Sequence, residues 1–433
     1  MSRNDWTNWA GNQRATASLV ARPTNVDELT EVVRAARAEG MTVKAVGAGH
    51  SFTGAGTTGG VRVDLSSMAT PVRVDAQTRL ATVPAGMPLH AVNRLLATYG
   101  LALPNLGDID VQTIAGAIST GTHGTGGGLP CLSGFVEELT LVDGTGQTVR
   151  CSASQNPDVF AAARVGLGAV GVLAEVTLRC VPAFVLRAQE RPERLANVLS
   201  GLSEHIEGND HFEWYWFPYT DRAQTKRNNR LPASDQPLAR LRGWFDDSFL
   251  SNTVFGLACR LGRAIPALVP AITGIESRAL SPRTYTATSY QVFCTPRRVR
   301  FVEMEYGLPR DALPEAFAAL RSIVDSLPFK VIFPVEVRVS AVDDIWLSHG
   351  YGRDNAYVAI HQYVGMPYQP YFQAFEEVAR SLGGRPHWGK LHWRTAEDLR
   401  PVYPHFDDFL AVRDRLDPDR VFANDYTESV LGP

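Results

Sequence analysis

Residues 43–65 read VKAVGAGHSFTGAGTTGGVRVDL. Val43, Ala45 and Val46 form a short apolar run, Gly47, Gly49, Gly54, Gly56, Gly59 and Gly60 crowd the middle, and Val61, Val63 and Leu65 alternate on the way out. The pattern predicts strand, tight loop, strand. Glycines at this density let a backbone approach a ligand closely, so that successive N–H groups converge on phosphate oxygens. There is no Gly-Lys-Ser/Thr ending and no helical pattern directly after, so the two familiar Gly-rich phosphate loops do not fit. A flexible surface loop is the competing reading of the glycines alone. His50 has room there to approach a planar ligand, and neutral imidazole is a competent nucleophile, although a loop histidine is commonly just solvated.

A second segment points the same way. Residues 103–124, LPNLGDIDVQTIAGAISTGTHG, set Ala115, Gly116 and Ala117 where a helix can lie close to a ligand. Ser119, Thr120 and Thr122 with Gly121 and Gly124 suit further phosphate contacts. Later, residues 166–178 run through Gly171 and Val172 into a predicted strand, where close packing explains the glycines equally well. Around these segments the spacing predicts a helix over Leu29, Val32, Val33 and Ala36, capped by Thr24 or Asn25. It also predicts hairpins about 75–78 and from Leu139 to Cys151, with helices over 89–99 and 160–167.

Beyond Pro182 the chain changes character. Val331, Phe333, Val335, Val337 and Val339 form one apolar face of a predicted strand, and Ile332, Pro334, Glu336, Arg338 and Ser340 the other. Residues 357–364 repeat the device and bring Tyr357, Ala359, His361 and Tyr363 together; FVEMEY at 301–306 reads as a third such strand. One face packed on helices and one carrying carboxylate, guanidinium and imidazole makes a site floor. A solvated face with a surface ion pair is the alternative. The aromatics between Phe212 and Tyr219 predict sheet and core, and 221–237 reads as a polar loop.

Gly47-Ala48-Gly49-His50-Ser51-Phe52, followed by Asp64-Leu65, closely resembles the pyrophosphate loop of the vanillyl-alcohol-oxidase (PCMH-type) family of flavoproteins. Residues 103–124 resemble its second FAD signature, and Arg385-Pro386-His387-Trp388-Gly389-Lys390 a hallmark of its sugar-1,4-lactone oxidase and dehydrogenase and alditol oxidase group. The resemblance implies an α+β fold of two domains: FAD binding in 1–182, and a substrate (cap) domain in 183–412 with a large, mostly antiparallel sheet covered by helices. Residues 413–433 would return to the flavin. It implies FAD tethered through its 8α carbon to His50. Contacts would come from Val46 to Phe52, Gly107, Asp108, Thr113, Ala115, Gly116, Ser119, Thr120, Gly121, Thr122, His123, Gly124, Gly171, Val172 and Lys390. Glu336 and Arg338 would bind substrate beside the flavin ring, with Arg338 stabilising charge there. His361 and Lys390 would orient substrate or relay its proton, and Asp108 and Tyr363 complete the substrate set. Asp108 stands where polyol oxidases of the group have serine, and it could meet sugar hydroxyls together with Asp110. Gly107 occupies the position where a small residue admits oxygen.

The expected reaction is oxidation of a secondary alcohol of a sugar-1,4-lactone, L-gulono-1,4-lactone first, with O2 as acceptor giving H2O2. An alditol such as xylitol or sorbitol, or a lactone dehydrogenase using another acceptor, is the alternative. A protein that merely keeps flavin, or a metal-dependent hydrolase, would respectively be yellow but unreduced by sugars, or colourless. At 45% hydrophobic and 20% charged, the 433 residues have the composition of a soluble globular chain. A net charge of -3 gives no argument for nucleic acid or anionic membrane. The five scattered cysteines lack metal spacing and predict reduced thiols in a cytoplasmic protein, and no metal is expected. Residues 1–15 lack the pattern of a secretory signal. Residues 252–275 are apolar but broken by Arg260, Arg263, Pro266 and Pro270, so a packed helix is expected there rather than a spanning one.

Overall fold

The computed structural model describes residues 4–231 and 253–433. Strand β1 (Leu19–Ala21), helix α1 (Val26–Ala38), β2 (Val43–Ala45) and β3 (Val61–Val63) open the fold. The strands pair in parallel in the order β1–β3–β2. Asn25 caps α1 by accepting the Glu28 N–H, and Leu29, Val33 and Ala36 bury the face its spacing marked out. The Gly-rich segment is the connection between β2 and β3, so the predicted strand, loop, strand is present.

β4 (Arg73–Asp75), β5 (Leu80–Pro84), helices α2 (Leu89–Thr98) and α3 (Ile114–Ser119), β6 (Val136–Val142), β7 (Thr148–Ser152), helix α4 (Pro157–Ala163) and β8 (Val172–Arg179) form the second half of this region. Its sheet is antiparallel, ordered β7–β6–β8–β5–β4. The helix expected to reach Leu167 stops at Ala163, and Leu167 lies beyond it with a positive φ of 53°, outside helical conformation.

The cap is one eight-stranded antiparallel sheet. Its strands are β9 (Val185–Arg194), β10 (His211–Trp216), β11 (Arg222–Leu231), β12 (Arg283–Thr288), β13 (Phe301–Pro309), β14 (Val335–Ser340), β15 (Asn355–Tyr363) and the short β16 (Arg385–Pro386). They lie in the order β12–β9–β11–β10–β14–β15–β13–β16. One face is apolar: Trp214, Trp216, Val337, Val358, Ile360 and Met304 pack against Phe317 and Leu320 of α5 (Leu313–Ser326) and Phe372 and Phe375 of α6 (Gln369–Ser381).

Three expectations for this half need correction. Residues 222–231, read as loop, form β11, a strand with neighbours on both sides; residues 232–237 lie outside the described residues. Its polar side chains are paired across the sheet, as in Arg227 with Glu193 and Lys226 with Glu213, so no apolar alternation marks it. The apolar alternation assigned to 331–339 begins only at Val335; Phe333 belongs to a separate cluster with Ile332 and Met366 and lines the substrate-side cavity described below. Residues 255–279 form two helices, Phe255–Ala264 and Val269–Ala279, divided at Pro266. They bury Cys259, Gly262, Val269 and Thr273. No helix among the described residues is long and apolar enough to cross a membrane. All five cysteines are free, and four are buried.

The chain rejoins the first core earlier than the expected residue 413. Leu399, Tyr403, Phe406, Phe409, Val412 and Leu431 all lie in that core. The last two helices, α7 (Phe406–Leu416) and α8 (Asp425–Leu431), close it. Asn424 fixes the end of the Gly-rich loop by donating to the carbonyls of Gly54 and Thr57.

Candidate active site

Two cavities meet between the halves, sharing His50, Ser51, Gln112 and Thr120 as lining. The first, of about 660 Å³, runs over the Gly-rich loop and the start of α3. Val46, Gly47, Ala48, Gly49, Thr113, Ala115, Gly116, Ser119, Gly171 and Val172 line it. Among the described residues, the N–H groups of Gly47, Ala48, Gly49, His50 and Ser51 take no protein acceptor. A Cβ at Gly47 would sit 2.4 Å from Thr113 Oγ1, so the loop comes against α3 only as glycine. Five successive unpaired donors beside a helix N-terminus are a site for a pyrophosphate, and the long groove on either side suits a dinucleotide. The residues present therefore fit FAD. Phe52, Gly107, Asp108, Thr122 and His123 line the second cavity instead, while Gly121 and Gly124 line neither. Those two are packing glycines: a Cβ would come 2.8 Å from His349 at Gly121 and 2.3 Å from Asn105 at Gly124.

His50 stands where the cavities join, with the Trp9 ring stacked on it at 5.2 Å. Burial, then the nearby Lys390, push its imidazole down to about 4, so it is neutral and nucleophilic at neutral pH.

The second cavity, of about 500 Å³, is walled by the polar face of the cap sheet. Strand register assembles that wall. Tyr215 of β10 lies opposite Glu336 of β14, Glu336 and Glu305 both lie opposite Ala359 of β15, and Glu303 of β13 lies opposite His361. Side chains two apart share a face, so Glu213 and Arg338 join the same wall. Arg338 is buried and holds three carboxylates: Glu336 at 2.5 Å, Glu213 at 3.1 Å, and Asp108 from the other half in the shortest of the three contacts. The second oxygen of Asp108 takes Arg297 at 2.7 Å. Burial alone would raise Asp108, but Arg338, Arg297 and Lys226 together hold it far below the usual carboxylate range. Both its oxygens are thus engaged by guanidinium groups rather than turned to a sugar.

Glu336 differs. Burial pushes it up to about 7, with Asp108 and Glu213 adding to the shift against Arg338. Tyr215 donates to its Oε1 at 2.9 Å. Lys390 pairs with Glu303, whose other oxygen faces His361 Nε2 at 3.4 Å. Burial opposes the charge on Glu303, yet Lys390 and His361 bring it down to about 2. Glu305 meets His123 Nε2 at 2.9 Å, and the His123 ring stacks on Tyr357 at 3.5 Å. His123, Glu305 and His387, and separately Asp108, Glu213 and Glu336, bring ligand atoms within 4.8 Å of one another, but Arg338 already occupies the second set with positive charge.

Glu336, Arg338, His361 and Lys390 are therefore brought together. Tyr363 is not: at the end of β15 it takes Arg263 over its ring at 5.3 Å and is absent from the cavity lining. Sequence reading missed Glu213, Tyr215, Glu303 and Glu305. The signal was present in HFEWYW and FVEMEY, where carboxylates alternate with large apolar residues that fill the core.

A dinucleotide groove opening onto a charged antiparallel sheet is the site of an enzyme that sets a dinucleotide cofactor against a polar substrate. The comparisons agree: residues 17–152 match an FAD binding domain and residues 176–430 the D-arabinono-1,4-lactone oxidase family. The chain is 44% identical to L-gulono-1,4-lactone dehydrogenase of Mycobacterium tuberculosis, over 99% of each chain. It is 34% identical to L-gulonolactone oxidase of Bos taurus, over 98% of this chain and 97% of that one. With the alditol oxidase of a Streptomyces species it shares 30% identity over 98% of each. A solved cholesterol oxidase from B. sterolicum matches with a TM-score of 0.84 over 99% of this chain and 97% of that one, at 18% identity, which shows the fold alone. The chain belongs to the D-arabinono-1,4-lactone oxidase family of FAD-dependent oxidoreductases.

Proposed function

We propose that this protein oxidises a secondary alcohol of a sugar-1,4-lactone, with L-gulono-1,4-lactone the first substrate to test. The observation that carries the reading is the meeting of the pyrophosphate groove with the Glu336, Arg338, His361 and Lys390 wall at His50 and Thr120. The family and the names of the relatives support the substrate class.

Bound FAD supplies the two-electron acceptor. Oxidising a CH–OH group releases a hydride from carbon and a proton from oxygen. Glu336, poised near neutrality, accepts that proton, an acid–base assignment that suits its environment. Arg338 and Lys390 stabilise the negative charge that develops on the substrate oxygen. Lys390 stays cationic because Glu303 and Glu305 outweigh the burial that would discharge it. Asp108 and Glu213 hold Arg338 in place rather than bind sugar. His50 is the candidate covalent tether, supported by its place at the junction and its neutral ring.

O2 is the proposed acceptor, giving H2O2. The support for it is that Gly107 brings no side chain to the lining of the second cavity. Reoxidation by a different acceptor is the second reading, favoured by the 44% identical relative being called a dehydrogenase. Peroxide measured during aerobic turnover supports the first. Slow reoxidation in air with fast reduction of an artificial acceptor supports the second. Acid precipitation tests the tether: yellow colour is expected to stay with the protein, and its release into the supernatant rejects covalent attachment.

A further inference from the structure

Glu303 is buried on β13, 5% exposed, between two groups of the proposed site. One carboxylate oxygen takes the Lys390 ammonium, and the other faces His361 Nε2 at 3.4 Å. The opposite ring nitrogen of His361 faces the carbonyl oxygen of Pro334 at 3.2 Å. Both ring nitrogens of His361 thus face protein oxygens. The backbone reinforces the arrangement. Leu391 N–H donates to the Glu303 carbonyl and His387 N–H to the Glu305 carbonyl, each at 2.9 Å, so the segment bearing Lys390 is docked on β13 from both sides.

We propose that Glu303 is a positioning residue that holds the Lys390 ammonium beside the reacting hydroxyl. A carboxylate that holds the ammonium removes Lys390 as a proton acceptor and leaves that part to Glu336. Glu303 takes no part in the bond changes. The inference rests on the proposed lactone oxidation.

The test uses holoprotein carrying Glu303→Gln, Glu303→Asp, Lys390→Met or the Glu303→Gln/Lys390→Met pair, with two readouts. The first is the rate of flavin reduction by lactone across pH. Glu303→Gln is expected to slow it by about 10- to 100-fold and move its alkaline limb to lower pH, since misplacement of reacting groups costs on this scale. Glu303→Asp is expected to keep the limb where it is. The second is acetylation of Lys390 by acetic anhydride, followed by mass spectrometry: Glu303→Gln is expected to make Lys390 reactive at lower pH. The paired variant leaves no buried unpaired charge, so it is expected to fold even where Glu303→Gln does not. In it, the rate is expected to equal that of Lys390→Met. A rate and pH profile unchanged in Glu303→Gln, unchanged Lys390 labelling, or a further loss in the paired variant would each overturn the proposal. If lactone fails to reduce the wild-type flavin, the functional reading fails instead.

Discussion

Arg338 is the most heavily committed side chain in the site, facing Asp108, Glu213 and Glu336 at once. Removing it takes the shared cation from three carboxylates and leaves Glu336 without its ion-pair partner, so Arg338→Ala is expected to lower flavin reduction by about 100-fold or more, in line with the loss of a charge-stabilising donor. Stopped-flow reduction checks this, and a rate within a few-fold of wild type would take Arg338 out of the site. Glu336 gives the pH dependence its sign. Its carboxyl is raised to about 7 by burial, so the competent carboxylate is lost as pH falls through that value. The reduction rate is expected to climb with pH up to about 7 and then hold until the alkaline limb where Lys390 discharges, and Glu336→Gln to be slow and without the rise near 7. The residues themselves were legible where a motif named them: the alternation over 335–340 put Glu336 and Arg338 on one face. Glu213 beside Arg338 and Glu303 beside Lys390 were not, because they come from other strands that only register brings alongside; Asp108 was named from its motif, but not as the partner of Arg338.

At the scale of elements, the polar wall depends on its apolar back. Phe317 of α5 is fully buried and takes the edges of Trp214 and Trp216 at 4.7 and 5.5 Å. Phe317→Ala is expected to cost about 3–5 kcal/mol in urea unfolding, the usual range for emptying a buried phenylalanine site. The site residues sit on the opposite face, so flavin spectra of the folded fraction are expected to be unchanged. Strands with one apolar face were readable for this reason: a period of two survives when a single face packs on helices. β11 was not, since its side chains Lys226, Arg227 and Asn228 are polar, and Lys226 and Arg227 face carboxylates rather than water. Phe333 misled in the opposite sense, its size suiting the core while its chain had not yet entered the strand.

Across the whole molecule, the chain's end completes its beginning. Asn424 bridges to Gly54 and Thr57, and Tyr426 donates to the Trp388 carbonyl at 3.0 Å, tying the Gly-rich loop to the segment that bears Lys390. Asn424→Ala leaves loop carbonyls without their donor and is expected to cost about 1–3 kcal/mol, with a lower ratio of flavin to protein read from the visible spectrum. An unchanged ratio and melting temperature would show that the loop stands without its tail. This closure was legible only as a resemblance, because nothing in residues 399–431 marks which core they join; apolar periodicity shows a face and not its partner. The Gly-rich stretch carried more, since crowded glycines between two short strands have few uses besides close approach to a ligand. The central claim is that this groove and the charged sheet act on one substrate. Anaerobic titration of the yellow protein with L-gulono-1,4-lactone measures it directly: stoichiometric bleaching of the flavin is predicted, and a spectrum left unchanged by lactones and polyols alike would contradict the account.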